Sequence, residues 1–202
     1  MGEDLRVIKT RESIQAKFWS LLEKYPFDKI SVKMLIDECR INRSTFYRNY
    51  EDKYDLLNQV ADIFLSRFRT TIHTAIISES FYHFDDMVVY LDPVIAYFWE
   101  NRERLLLIDG DPYVKSVIFG KMFDIMSATF QECIIETFHV SDDQLIDAEY
   151  FAQILTHNIL ETIRWWQLVH PDIETNKIKS IIAKCSTYGV YESLSYLGKQ
   201  LS

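Results

Sequence analysis

The 202 residues are 48% hydrophobic and 26% charged with a net charge of −8, values that describe a globular chain with a sizeable core and exclude a generic, all-over basic binder. Only 5 glycines and 4 prolines punctuate it, which favours long helices over many short strands. No uncharged stretch reaches membrane-spanning length, the start MGEDLRVIKTRE lacks an apolar signal core, and three scattered cysteines fit a reducing compartment, so a cytoplasmic protein without membrane association is expected.

The first predicted helix runs from Thr10 to Tyr25, with Ile14, Phe18, Leu21, Leu22 and Tyr25 on one face, and Pro26 stops it. Ser31 is a good N-cap for a short helix from Val32 to Cys39, whose Val32, Leu35 and Ile36 share a face and whose Cys39 reads as a buried apolar residue. Arg40-Ile41-Asn42 interrupts, and Asn42 suits both the turn and the cap of a second short helix from Arg43. There Phe46 and Tyr50, four residues apart, anchor the helix and leave Arg43, Ser44, Thr45, Tyr47 and Arg48 outward. This is the layout of a helix-turn-helix that reads double-stranded DNA. Arg can bond the acceptor edge of guanine, and Ser and Thr can reach bases or phosphates, so Arg43 to Thr45 are expected at base edges and Tyr47 and Arg48 on the backbone. Lys53, at the start of the next helix, is expected to meet phosphate. That helix keeps a stripe through Leu56, Leu57, Val60, Ala61, Phe64, Phe68 and Ile72 and would link two domains.

Beyond residue 77 a larger helical region follows. A segment from Ser80 to Asn101 contains Pro93, a kink or a helix start; a turn at 109–112 precedes a helix from Tyr113 to Phe138. Ser141-Asp142-Asp143 then caps a helix with Phe151, Ile154, Leu155, Ile159, Thr162, Ile163 and Trp166 on its inner face, closed by His170-Pro171. The last helix, Glu174 to Leu197, repeats Ile178, Ile181, Ile182, Cys185 and Tyr188. The final two helices are apolar over more of their circumference than a monomer needs, and Trp165 and Trp166 cannot point the same way, so a homodimer surface through Ile159, Ile163, Trp166, Ile181, Cys185 and Tyr188 is expected.

The middle region gathers Phe81, Tyr82, Phe84, Tyr90, Tyr97, Phe98, Trp99, Phe119, Phe123 and Phe130, which would either form plain core or line a cavity for a small apolar or aromatic inducer. His83 with Asp86, and His157, are the nearest approach to a metal or acid-base site, but no ligand spacing or nucleophile motif accompanies them. Neither an enzyme, a cofactor nor a metal is expected. Residues 1–53 hold 11 Lys+Arg against 9 Asp+Glu, and residues 54–202 hold 11 against 21, so the acidic surplus lies away from the proposed DNA face.

TFYRNYEDKYDLL resembles the run that closes the DNA-binding domain of TetR-family transcriptional regulators, and FDKISV resembles the junction upstream of it; the similarity covers about residues 8–68. It implies an all-α fold: an N-terminal three-helix helix-turn-helix domain, residues 1–68, joined by a long helix to a helical ligand-binding and dimerisation domain, residues 69–202. It implies DNA contacts by Ser31, Lys33, Arg43, Ser44, Thr45, Tyr47, Arg48 and Lys53, and puts Asn49 where many members carry a phosphate-binding His. It also implies a homodimer paired through the last two helices, a palindromic operator with half-sites roughly 34 to 36 Å apart or a multiple of that, and most often repression. ILETIRWWQLVHPD is similar to a subgroup found near dihydroxyacetone kinase genes, where the alternative is a helical adaptor or coactivator acting through a protein partner.

Overall fold

The computed structural model describes residues 5–76 and 84–195, and among them every regular element is helical. In order these are α1 (Leu5–Leu22), α2 (Val32–Cys39), α3 (Arg43–Asn49), α4 (Lys53–Ile76), α5 (Phe84–Glu100), α6 (Arg102–Asp109), α7 (Pro112–Phe138), α8 (Leu145–Val169) and α9 (Thr175–Ser195), with single 3-10 turns at Phe27–Lys29 and Asp142–Gln144. The expected all-α class holds. Helix α6 escapes periodicity because Leu105-Leu106-Leu107 is a run without a 3.6-residue rhythm, although Leu105 and Ile108 are the residues buried. Pro93 lies inside α5, and α9 leaves helical geometry at Gly189 (φ 71°, ψ 169°), a backbone region that side chains other than hydrogen rarely tolerate.

The chain divides into two compact units, Met1–Leu65 with Glu103–Gly120, and Ser66–Arg102 with Lys121–Ser202. The first draws on a segment far downstream of residue 68, where the sequence reading put the end of the DNA-binding domain. Its core is built on Ile14, Phe18, Leu35, Phe46, Tyr50, Leu56, Leu57 and Ala61, with Ile108, Val114 and Ile118 added from the second segment. Phe27 is its hub, stacked on Tyr113 at 5.1 Å and edge-on to Tyr54 at 5.4 Å. Buried Asp111 holds this hub. One carboxylate oxygen accepts from the Tyr113 and Val114 N–H groups at 3.0 Å each, capping α7, and the other accepts from the Phe27 N–H at 2.7 Å. Asp111→Ala is expected to lower unfolding free energy by about 2–3 kcal/mol, since it strips a cap and orphans a buried donor, and a urea titration would measure it.

In the second unit α9 packs on α5 and α8. Lys179 donates to Asp92 at 2.5 Å and Gln167 to the Phe98 carbonyl at 2.8 Å, so both of these buried polar side chains are paired. Trp166, 2% exposed, bonds the Ile173 carbonyl through its indole N–H at 2.9 Å. That bond closes the turn after α8.

Candidate nucleic-acid interface

Helices α2 and α3 start where local chemistry dictates. The Ser31 hydroxyl accepts from the Met34 N–H at 3.2 Å and the Asn42 side-chain oxygen from the Thr45 N–H at 2.8 Å, each the third helical residue after its cap. Between them Arg40 takes a left-handed conformation (φ 53°), and its N–H closes α2 onto the Asp37 and Ile36 carbonyls. The turn thus stops one helix and aims the next. Buried Phe46 and Tyr50 seat α3, and Gln15 of α1 donates to the Tyr50 hydroxyl at 3.1 Å. Burial pushes the Tyr50 pKa up, with the Gln15 bond pulling the other way, so the hydroxyl stays neutral. Cys39 sits half-buried with its thiol 3.9 Å from the Ser13 carbonyl, and burial pushes its pKa up against the opposing pull of Lys17.

Ser31, Lys33, Arg43, Ser44, Tyr47 and Arg48 are exposed on this seated pair, with Thr45 half-exposed. The Arg43 guanidinium lies 5.4 Å from the Tyr47 ring centroid, and Tyr47 is 44% exposed. Lys33, Arg40 and Arg48 have no ion pair among the described residues, so bringing phosphate to them would break no existing pair. The Ser44 and Thr45 hydroxyls each donate to the Asn42 side-chain oxygen at 2.7 Å, alongside the Thr45 N–H. A carbonyl oxygen has two lone pairs, so these three donors compete, and one hydroxyl can turn outward at little cost. Asn42 therefore organises the start of α3, as its expected capping role requires.

Two expected contacts are placed differently. Asn49 donates to the Thr45 carbonyl at 2.8 Å and accepts from the Arg11 Nε at 3.3 Å, which ties α3 to α1 and leaves one amide N–H to offer. Lys53 is held more fully. Its ammonium donates to the carbonyls of Phe27 (2.9 Å), Asp28 (3.2 Å) and Ile30 (2.9 Å), which uses all three of its N–H groups, and sits 4.7 Å from the Phe27 ring centroid. The lysine expected on phosphate thus ties down the turn before α2.

No family profile matches the sequence, and no curated protein is similar to it at a significant level. Solved structures do match. A TetR transcriptional regulator from Streptococcus agalactiae 2603V is 22% identical, with a TM-score of 0.61 over 91% of this chain and 96% of that one. A protein of Mesorhizobium loti MAFF303099 described as a TetR-family regulator is 14% identical, with a TM-score of 0.57 over 96% of this chain and 98% of that one. The fold is that of the TetR regulators. What is shared at this identity is the helical architecture.

Within this TetR-type fold α8 carries two apolar faces. Ile159 (0% exposed), Ile163 (0%) and Trp166 (2%) point into their own unit. They cannot meet a second chain as expected, because the α5 and α9 residues around them already exclude solvent. The opposite side bears Tyr150, Phe151, Ile154, Trp165, Leu168 and Val169, all exposed and all falling within a band of one helical face. Phe151 and Ile154, read from the sequence as inner, belong to this outer stripe. On α9, Ile181 and Cys185 are half-buried and Tyr188 is exposed.

The aromatic cluster is also redistributed. Tyr90, Tyr97, Phe98 and Phe130 are buried, and ring contacts such as Tyr90 to Phe130 at 6.1 Å make them core; burial holds the Tyr90 and Tyr97 hydroxyls protonated. Trp99 is half exposed and Phe119 and Phe123 are intermediate, while Phe81, Tyr82 and His83 lie outside the described residues, as do the side chains of Phe84 and Asp86. A cavity of about 940 Å³ lies elsewhere, between the end of α7, the start of α8 and α9, lined by Phe138, Phe151, Ile154, Leu155, Asn158 and Cys185 among others. His157 is exposed, its ring 4.6 Å from that of Phe123. Among the described residues no group of three or more His, Cys, Asp or Glu could hold a metal, and no helix is long and apolar enough to cross a membrane.

Proposed function

We propose that the chain is a DNA-binding transcriptional regulator, a repressor that occupies a palindromic operator as a homodimer. The head lies in residues 1–68 and the regulatory and dimerising part in residues 69–202. The observation that carries this reading is the exposed set Lys33, Arg43, Tyr47 and Arg48 on α2 and α3, held over the buried anchors Phe46 and Tyr50. Ser31, Ser44 and Thr45 supply hydroxyls beside it, and Asn49 one amide N–H. The outer face of α8, with Ile181, Cys185 and Tyr188 of α9 beside it, supports twofold pairing. The 940 Å³ cavity shares Phe151, Ile154 and Cys185 with this face, so a small apolar or aromatic inducer held there, beside the Asn158–Ser186 hydrogen bond of 2.9 Å, would lie at the seam between the two chains. The ILETIRWWQLVHPD segment supports a place among regulators found near dihydroxyacetone kinase genes.

The test is recovery of bound fragments from a genomic library at two salt concentrations. A regulator of this kind retains a preferred inverted repeat and loses affinity as salt rises; an adaptor working through a protein partner retains no fragment preferentially. On the recovered site, Arg43→Ala is expected to weaken binding by about 1–3 kcal/mol and to relax preference at one position of each half-site, as fluorescence anisotropy on single-position variants would show.

A further inference from the structure

Between α2 and α3 the exposed surface is indented by a notch of about 300 Å³, lined by Val32, Lys33, Ile36, Arg43 and Tyr47. Its lining joins the half-buried Val32 and Ile36 side chains to the exposed Tyr47 ring, Lys33 and Arg43, whose guanidinium lies 5.4 Å from that ring's centroid. We propose that this notch receives the C5-methyl and adjacent C5–C6 edge of one thymine in each operator half-site, and so sets a base preference that no hydrogen bond would explain. The inference rests on the DNA-binding reading above. The two cations have no ion pair among the described residues and would draw the duplex onto this surface, yet the floor between them is apolar. A phosphate oxygen placed there would lose hydration against Val32 and Ile36 without a replacing donor. The major groove displays one apolar group on its base edges, the thymine methyl. It is the feature of DNA that repays covering this floor.

The experiment uses the full chain and the recovered operator, with each thymine replaced in turn by deoxyuridine, which removes the methyl and keeps every hydrogen-bonding group. One symmetric position per half-site is expected to lose affinity by about fourfold per methyl, the factor that burying one such group is worth. In Val32→Thr, which keeps the side chain's shape and replaces a methyl by a hydroxyl at a half-buried helix start, that sensitivity should fall towards one while the salt dependence stays as in the parent. Sequence-specific binding with no deoxyuridine-sensitive position, or with a sensitivity that Val32→Thr leaves intact, overturns the notch and leaves the DNA reading standing. Absence of any preferred duplex removes both.

Discussion

Leu168→Arg is expected to turn the protein into a folded monomer that no longer holds its operator. Leu168 is 40% exposed on the outer stripe of α8, in line with Ile154 and Trp165, so a longer side chain there can carry its charge into solvent in the single chain. A guanidinium sealed into a twofold seam without a partner costs about 3 kcal/mol or more, over a hundredfold in the dimer dissociation constant. Sedimentation velocity across a dilution series reads this directly. Trp166→Ala, two residues away on the opposite side of the helix, should behave otherwise. It empties a core site and orphans the Ile173 carbonyl, costing about 3–5 kcal/mol and lowering the melting temperature by on the order of 10 °C, with dimerisation retained by the chains that fold. A Leu168→Arg chain that remains dimeric would move the seam off this face.

Lys53→Met is the second large effect, and its signature separates two roles. Removing the ammonium leaves the carbonyls of Phe27, Asp28 and Ile30 without their donor and frees the turn that leads into α2. Because these are bonds to a charged group, the loss is about 2–3 kcal/mol in a thermal or urea melt. The slope of log affinity against log salt should stay at its parental value, since no phosphate contact is lost. Arg48→Ala is the control, expected to reduce that slope by about 1 with little change in stability. If Lys53→Met lowers the slope and leaves the melt unmoved, the lysine is a phosphate ligand after all.

These contrasts mark what could be read in the amino-acid order and what could not. The caps Ser31 and Asn42 and the anchors Phe46 and Tyr50 are legible because each acts on residues three or four positions away, inside a single helical turn. The carbonyls that Lys53 holds are not legible, because they come from a turn 23 to 26 residues upstream and the pattern around a lysine says nothing of where its ammonium lands. Asp111 meets Phe27 across 84 residues, which brings part of the downstream segment into the first compact unit. Helix α8 carries apolar residues on two of its sides. Periodicity finds both of its stripes, but which one the chain's own core covers depends on α5 and α9, so Ile159, Ile163 and Trp166 were placed on the partner's side when they belong to the interior. The cavity escaped for a related reason: the aromatic residues best suited to lining one pack against each other instead.

The central claim is that α2 and α3 present one polar ridge to a DNA groove and that a second copy presents another at a set spacing. Stoichiometric titration of a recovered inverted-repeat duplex with full-length protein, followed by sedimentation equilibrium and repeated with base pairs inserted between the half-sites, tests it most directly. The account predicts two chains per duplex, and an affinity that collapses when half a helical turn, about 5 base pairs, is inserted and partly returns with a full turn of about 10. One chain per duplex, or binding indifferent to the spacing, would contradict it.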